Sequence, residues 1–508
     1  MQKLPRACGA PALGAQRCEV RLGSSKGFSR VASLSSHVSR KLHLSSDTSP
    51  EKSLKRELNL HRTQNARRAM ISADVAVLGC GWAGLAAALG ILERAPSATV
   101  VCLDASEEPG GLLRSERICE HTFDVGGSHI IFSRDKGLLS EILGLLGGSA
   151  VEHERKAFVL LGGVKVPYPL ENGLYALPPQ LRAEMLVGFV EALLERAAAP
   201  REPESFGEWA RMFFGRAIAE SYLIPYNRKI WKVDPDEMAA DWVHTPGRLP
   251  VPDWRDVVRS GAGVETRGYL EQARFYYPAS GGIQRLYDAA LELARSRGAR
   301  FLWGHRVVRV RRDGGRWVVD GVVEARKLLS TIPLPELALA LEAPEHVLRA
   351  AGRLRYNRVV VVGFALSREA PGEHWVYVPD ESVVFHRYAW ISNYSPANAP
   401  RGSSTLQVEV TLRPGDPVDE EKLLGEVVEG LDRLGVASYD HVKLARVWVH
   451  EYGYPLYVRG HNEAREEVMA YLRELGVVSV GRWGSWHYWN MDRVYKEAKA
   501  AAASLLAP

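Results

Sequence analysis

The distribution of apolar residues along the chain predicts a first strand that is followed directly by a helix. The segment Asp74–Leu78 has the apolar character of a buried strand, and the Ala/Leu-rich segment Leu85–Ala95 has that of a helix packed on a sheet. Apolar residues recur at i, i+3 and i+4 spacing in three later stretches. This spacing predicts helices at about residues 134–147, 179–197 and 205–223.

Strand patterns become dominant in the second half of the chain. A short hairpin is predicted earlier, at Ala157–Leu161 and Val164–Tyr168 around two glycines. The later pattern predicts strands at His305–Arg312, Arg316–Val319, Lys327–Thr331, Arg358–Leu366, Trp375–Val378, Leu406–Leu412 and Val477–Val480, and a last helix from about Asn490. The alternation of strands and helices, with a further antiparallel set, predicts an α/β fold class (α+β overall).

The composition is that of a globular protein. The chain has 508 residues, of which 46% are hydrophobic and 25% charged, so we expect two or three domains. Its net charge of +5 is unevenly spread, because residues 1–69 carry +10 and the remainder −5. The basic character belongs to the N-terminal segment, and we expect no nucleic-acid partner. No stretch approaches the ~18 apolar residues of a membrane span.

Residues 1–69 are rich in Arg and Ser and lack apolar periodicity. This composition is typical of a transit peptide, a disordered tail, or translated sequence ahead of a start at Met70. We expect the segment to be dispensable for folding and to have no part in the chemistry. The 5 cysteines show no CxxC spacing, which favours a reduced, cytoplasmic protein, with organelle targeting as the alternative.

A glycine motif follows the first strand in the context that dinucleotide binding requires. Gly79 permits a sharp turn, Gly81 lets the backbone approach a pyrophosphate, and Gly84 lets the helix pack closely on the sheet. The helix N-terminus then offers free N–H groups to the phosphates. Asp104 ends the second strand about 20 residues later, where a carboxylate accepts the ribose hydroxyls.

Further glycine pairs follow within a short span. They lie in Pro109-Gly110-Gly111-Leu112-Leu-Arg114 and in Asp124-Val-Gly126-Gly127-Ser128-His129. Repeated glycine pairs suggest an extended ligand held against the backbone at several points, which a plain NAD domain does not need.

These motifs resemble the FAD-dependent amine oxidase and protoporphyrinogen oxidase superfamily, and within it the UDP-galactopyranose mutases and mutase-like flavoproteins. The resemblance extends from Met70 to the C-terminus through Val166-Pro-Tyr168-Pro, Pro225-Tyr-Asn227, Gly281-Gly282, Ser392-Asn-Tyr394-Ser-Pro396, Gly453-Tyr454-Pro455 and Gly481-Arg-Trp-Gly-Ser-Trp-His-Tyr488-Trp-Asn490-Met491-Asp492. It implies FAD as the cofactor. It also implies a Rossmann-like FAD-binding domain, discontinuous in sequence, with an inserted helical and antiparallel-sheet substrate domain.

The resemblance sets the expected domain boundaries and the cofactor site. The FAD-binding domain is expected at residues 70–150, 271–335 and 471–508, with a helical substrate domain at 151–270 and its sheet at 336–470. The candidate cofactor-binding residues are Gly79, Gly81, Trp82, Ala83, Gly84, Asp104, Gly110, Gly111, Leu112, Arg114, Gly127, Ser128, His129, Val307, Gly481, Asn490, Met491 and Asp492. Among these, Gly481 is expected to let a strand end approach the ligand, and Asn490 to cap the last helix.

His129 is the candidate catalytic residue, because the resemblance places a histidine beside the flavin near this position. Ser128 is an equally good match, and a structural hydrogen bond is an equally simple role for such a histidine. The candidate substrate-binding residues are Tyr168, Asn227, Arg387, Tyr454 and Tyr488. With 19 tyrosines in the chain, core packing remains the simple alternative for each tyrosine. For Asn227 the alternative to substrate binding is a structural position in a capped loop between two helical stretches.

The diphosphate clamp of the eukaryotic-type mutases is missing from its expected positions. Their arginines correspond here to Ile224 and to Leu366 or Ser367. An isoleucine cannot bind a diphosphate, although Arg228, Arg368 or Arg387 could replace the clamp in a different geometry. We therefore expect an FAD-dependent oxidoreductase that transfers hydride from an organic small molecule to flavin N5. The alternatives are a mutase acting on a nucleotide sugar through reduced flavin and, third, a non-catalytic FAD-binding protein.

Overall fold

The structure, a computed structural model, describes residues 70–244, 251–266, 268 and 273–506. The predictions for residues 1–69 therefore lie outside the described residues. The strands are β1 (Ile71–Leu78), β2 (Val100–Leu103), β3 (Ser115–Ile118), β4 (His121–Asp124), β5 (Ala150–Glu154), β6 (Ala157–Leu161), β7 (Val164–Pro167), β8 (Arg274–Pro278), β9 (Arg300–Leu302), β10 (Val310–Asp313), β11 (Arg316–Val319), β12 (Val323–Ser330), β13 (Tyr356–Leu366), β14 (Trp375–Tyr377), β15 (Arg387–Trp390), β16 (Ser404–Leu412), β17 (Val442–Pro455) and β18 (Val477–Ser479). The helices are α1 (Trp82–Arg94), α2 (Lys136–Gly144), α3 (Pro179–Ala198), α4 (Phe206–Ile218), α5 (Ile224–Trp231), α6 (Trp254–Gly261), α7 (Gln284–Ser296), α8 (Leu334–Ala340), α9 (Glu345–Gly352), α10 (Glu420–Arg433), α11 (His461–Glu474), α12 (Gly481–Gly484) and α13 (Met491–Leu506).

A mixed seven-stranded sheet carries the glycine turn. Its order is β10-β11-β12-β1-β2-β9, and β18 pairs with the C-terminal part of β12. The pairs among β18, β12, β1, β2 and β9 are parallel, whereas β10 and β11 are antiparallel. The carboxyl ends of parallel strands form a crevice where ligands bind in open α/β sheets.

Helices cover both faces of this sheet. In β1, Val75 and Val77 pack with α1, α7 and α13, whereas Ala76 and Leu78 pack with α8, α9 and α11. Successive side chains of a strand point to opposite faces, so both faces of the C-terminal half of β1 are buried and its sequence, Val75–Leu78, is continuously apolar. The fold is therefore α/β with a Rossmann-like sheet. The expected domain boundaries stay a prediction.

A second seven-stranded sheet forms a separate layer, with the order β17-β13-β16-β15-β14-β6-β7. All its pairs are antiparallel except β14 with β6. In β13, Val359 and Val361 pack with α3, α4 and α5, whereas Val360 and Val362 pack with α10. One side of this sheet thus packs against a helical layer formed by α3, α4 and α5. Polar side chains from this layer and from the sheet line a cavity that is described below.

Two predicted elements differ from the structure. The strand predicted at His305–Arg312 begins only at Val310, because the Asp320 carboxylate accepts the backbone N–H groups of Val308 (3.1 Å) and Arg309 (2.7 Å) in place of a strand partner. Asn227 lies inside helix α5 and not in a loop, since the helical path continues beyond the predicted end through a π-turn at Ala219–Leu223.

No helix among the described residues is long and apolar enough to cross a membrane. Cys80 and Cys102 are free, buried thiols.

Candidate functional site

Only glycine fits at two positions between the end of β1 and the first residues of α1. Gly79 has a φ of +86°, and a Cβ atom on Gly84 would lie 1.9 Å from the Gly79 carbonyl oxygen. A Cβ atom on Gly81 would meet no atom within 4 Å. Gly79 and Gly84 are thus required for the local fold, while Gly81 borders open space at the N-terminus of α1, where an anionic group can approach the free N–H groups.

Asp104 lies at the end of β2 beside this turn. Its Oδ2 atom accepts the backbone N–H of Cys80 at 2.6 Å, and its Oδ1 atom accepts that of Ser106 at 2.8 Å. These bonds fix the carboxylate on the wall of a cavity of about 320 Å³ that also contains Gly79 and Gly81. A carboxylate held in this way retains lone pairs for the hydroxyl groups of a ligand.

This first cavity brings together ten of the eighteen predicted cofactor residues. They are Gly79, Gly81, Trp82, Ala83, Asp104, Gly111, Leu112, His129, Val307 and Met491. Ser128, Asn490 and Asp492 line an adjoining second cavity of about 270 Å³. The two cavities share Leu112, His129, Arg482 and Met491, so they form one continuous cleft.

Five predicted cofactor residues line neither cavity: Gly84, Gly110, Gly127, Gly481 and Arg114. Arg114 is bound to Glu108 and Glu116, both at 2.6 Å. Gly481 has a φ of +94°, and a Cβ atom there would lie 2.6 Å from the Cβ atom of Ala83. Close packing against α1 therefore requires glycine here, while the approach of this strand end to the ligand stays a prediction.

Helix α13 begins at the junction of the two cavities. The carbonyl of Asn490 accepts the N–H of Val494 at 2.9 Å, which starts the helix where the sequence predicted. The indole of Trp82 donates to the carbonyl of Met491 at 3.0 Å, and its ring stacks on Tyr495 at 5.3 Å. The free N–H groups at the start of α13 therefore lie next to the cleft, together with those of α1.

His129 lies at the point where the cavities meet. Its Nδ1–H donates to the carbonyl of Gly127 at 3.0 Å, which leaves Nε2 as an acceptor. Burial, together with the nearby Arg482, lowers the pKa of His129 to about 4. The imidazole is therefore neutral near pH 7.

The second cavity brings together four of the five predicted substrate-binding residues, which are Tyr168, Arg387, Tyr454 and Tyr488. Tyr454 and Tyr488 stack at 5.2 Å. Asn227 is the exception, because its amide bonds within the helical layer, donating to Leu223 at 2.7 Å and accepting from the indole of Trp231 at 2.7 Å.

Arg387 and the loop before His129 share one buried carboxylate. Arg387 donates from Nε at 3.1 Å and from Nη2 at 2.5 Å to Oε1 of Glu409, which also accepts the N–H of Ser128 at 3.2 Å. Burial opposes the charge of Arg387, but Glu409 raises its pKa well above the ordinary value. The guanidinium is thus charged, and the Glu409 carboxylate links it to the loop that carries His129.

His386 and Trp375, two of the buried residues on the second cavity, have polar atoms without a partner among the described residues. Neither ring nitrogen of His386 has a hydrogen bond to a described residue. The Glu409 carboxylate lies near the ring, but its Oε2 atom is 3.7 Å from Nε2 of His386. The indole N–H of Trp375 is likewise without an acceptor among the described residues. Burial and the charge of Arg387 hold the pKa of His386 well below its ordinary value, so the ring is neutral. These atoms are available to hydrogen-bond a ligand in the second cavity.

Sequence reasoning missed several of the residues that line the second cavity. The arginines among them are Arg155, Arg274 and Arg482, and the aromatic residues and histidines are Tyr226, Trp375, Tyr377, Tyr394, His386 and His450. Arg482 was within reach of sequence reasoning, because it follows Gly481 in a quoted motif. Arg155 and Arg274 carried no signal, since they come from β-strand ends far apart in the sequence.

The positions of the missing clamp are not on the cavity wall. Ile224 and Leu366 are buried in hydrophobic cores. Of the suggested replacements, Arg387 lines the cavity, whereas Arg228 pairs with Asp234 at 3.4 Å and Arg368 donates to the Val436 carbonyl at 3.2 Å, both outside it.

The cleft fits an extended dinucleotide cofactor. The open space at Gly81 and the two helix N-termini suit a pyrophosphate, and Asp104 suits a ribose. The second cavity then lies beyond the far end of such a ligand, next to His129.

Comparisons with known proteins agree with this geometry. The family model described as flavin containing amine oxidoreductase matches residues 82–506. A reduced UDP-galactopyranose mutase is 25% identical with a TM-score of 0.78, over 86% of this chain and 94% of that one. A protein described as a protoporphyrinogen oxidase, from Exiguobacterium sp. 255-15, is 19% identical with a TM-score of 0.66, over 86% and 99%.

A putrescine oxidase double mutant is also similar in fold, with 14% identity and a TM-score of 0.57, over 87% of this chain and all of that one (100%). The family match spans most of the chain, and the glycine turn and cleft have the geometry that its cofactor needs. The chain therefore belongs to the flavin containing amine oxidoreductase family, as an enzyme whose cofactor is FAD.

Proposed function

We propose that this flavoenzyme is an oxidoreductase that oxidises an anionic, oxygen-rich small molecule bound in the second cavity. FAD bound in the first cavity supplies a hydride acceptor at N5. The observation that carries the proposal is the polar wall of the second cavity, where the charged Arg387 stands beside buried donors that have no partner among the described residues.

The chemistry of this wall favours acceptor atoms on the substrate. The indole of Trp375 can only donate a hydrogen bond, and a guanidinium has no acceptor. Arg387, Arg155 and Arg482 all line the cavity, while Asp492 is a single carboxylate on the same wall. Placing a cationic amine here would leave the indole N–H of Trp375 without an acceptor and bring the amine close to the cavity's arginines, which is costly in a closed cavity.

We propose His129 as the catalytic residue and the stacked pair Tyr454 and Tyr488 as the wall that excludes water. With Nδ1 bound to Gly127, Nε2 of His129 is free to accept a proton or hydrogen bond from the substrate during oxidation. Because the ring is neutral near pH 7, it is in the protonation state that this role requires.

A mutase that acts on a nucleotide sugar through reduced flavin is the second candidate. The specific observation in its favour is the set of arginines on the second cavity, because a diphosphate needs charge-assisted partners. The similarity to UDP-galactopyranose mutase adds to it. The positions of Ile224 and Leu366 count against a clamp of the eukaryotic mutase type.

The two candidates are separated by one pair of assays on the purified FAD-loaded protein. Under the first proposal, organic acids or sugar phosphates bleach the oxidised flavin anaerobically, and UDP-galactopyranose is not converted by the dithionite-reduced protein. Conversion of UDP-galactopyranose to the furanose form, without bleaching by any donor, would favour the mutase instead.

A further inference from the structure

A cavity of about 220 Å³ lies outside the cleft, beside the C-terminal end of α5. Its floor is formed by the buried apolar side chains of Trp231, Val233, Leu354 and Leu456. Its rim carries three cations, Lys232, Arg355 and Arg413. The described residues that line it include no carboxylate.

The rim cations are poorly satisfied by the protein. Lys232 and Arg355 make no side-chain hydrogen bond or ion pair with a described residue, and Arg413 donates from Nε to the Lys232 carbonyl at a long 3.4 Å. Burial and the charge of Arg413 lower the pKa of Lys232, an effect that Asp416 partly offsets. An anion in the cavity would relieve this repulsion.

Neighbouring cations outside the cavity are paired. On α5, Arg228 lies 3.4 Å from Asp234 and 3.5 Å from Glu381, and on β13 Arg358 lies 2.8 Å from Glu451. These two neighbouring cations are thus paired with carboxylates, whereas no ion pair joins the three rim cations to a described residue.

We propose that this cavity binds a small organic phosphate at a site separate from the substrate cavity. Arginine and lysine side chains around a pocket match phosphate oxygens, and an apolar floor accommodates the organic part of the ligand. The site goes beyond the proposed function, because it requires no FAD and contains none of the residues of the cleft.

The floor of the cavity packs against residues that form the wall of the substrate cavity. The ring of Trp231 contacts the rings of Tyr454 at 5.7 Å and Tyr488 at 5.8 Å. Asn357, which lines the outer cavity, donates to the Ile230 carbonyl at 2.6 Å and accepts the N–H of Tyr454 at 2.8 Å. A ligand at the outer site thus contacts residues that hold the substrate cavity in place.

AMP is a suitable probe, because it carries one phosphate and a flat organic group. We expect saturable binding of AMP to the FAD-loaded full chain by isothermal titration calorimetry, with Kd raised at least about tenfold in K232Q/R355Q. The single variant R355Q, which changes an exposed side chain, should raise Kd in the same direction. The matched control R228Q, on the same surface but outside the cavity, should leave Kd unchanged.

Three results would overturn the proposal. They are the absence of AMP binding to the wild-type protein, an unchanged Kd in the folded double variant, and a loss of AMP binding in R387M alone. The last result would place AMP in the substrate cavity. Equal melting temperatures of R355Q and the wild-type protein show that the comparison concerns binding and not folding.

Discussion

Substitutions of two glycines near the first turn should distinguish cofactor binding from folding. A side chain on Gly81 projects into open space, so G81V should remove bound FAD while the melting temperature stays equal to that of wild-type apo-protein. G84A forces a Cβ atom against the Gly79 carbonyl and should destabilise the fold itself, by about 1–3 kcal/mol. Flavin absorbance and thermal unfolding of both variants check this. Full flavin content in G81V would contradict the cofactor site.

For single residues, the sequence predicted those of the local glycine turn and its acidic partner. It missed the cavity residues that come from strands far apart in the chain. Gly79, Gly81 and Asp104 act within one local unit, so their spacing was sufficient. The approach of Arg155 and Arg274 to the cavity depends on the pairing of β5 with β8, which no local pattern encodes.

At the scale of elements, the pair Arg387–Glu409 joins β15 to β16 and to the loop before His129. R387M would leave the Glu409 carboxylate, with a side-chain exposure of 3%, buried without its cation. Breaking such a pair costs about 3–5 kcal/mol, whereas the double variant R387M/E409M should lose less because no charge remains. Chemical denaturation of the two variants and of the wild-type protein measures this. Equal stability of R387M and wild type would contradict the role of the pair.

The predicted helices and strands were accurate where the apolar periodicity determines the structure. The prediction was wrong where a polar side chain binds the backbone in place of a neighbouring strand. β1 and α1 follow their apolar pattern, with boundaries that differ by a few residues. Between His305 and Arg309 the pattern is strand-like, but the Asp320 carboxylate takes the backbone N–H groups that a strand would pair. A competition of this kind is not visible in the spacing of apolar residues.

The whole molecule should lose stability as pH falls below neutrality. Burial lowers the pKa of His121, His129, His374 and His461 to about 4 and that of His487 to about 3. Between pH 6.5 and these values the unfolded chain binds more protons than the folded one, so acidification favours unfolding. Asp124 acts in the opposite direction, since burial raises its pKa to about 6.

The lowered pKa values of the histidines outweigh the raised pKa of Asp124, and the melting temperature should fall steadily from pH 7 to pH 5. The variant H374Q/H461Q removes two of these groups and should show a shallower fall. A melting temperature that is constant or rises on acidification would show that the histidines are protonated in the folded protein.

The central proposal is a cleft that holds FAD at one end and an anionic substrate at the other. Its most direct test is a titration of the purified yellow protein with sugar phosphates, dicarboxylic acids and putrescine, followed by the visible flavin spectrum. We predict saturable spectral changes with at least one class of anion, weakened about tenfold or more in R387M, and no change with putrescine. A spectral change with putrescine that R387M leaves intact, without a response to any anion, would contradict the account.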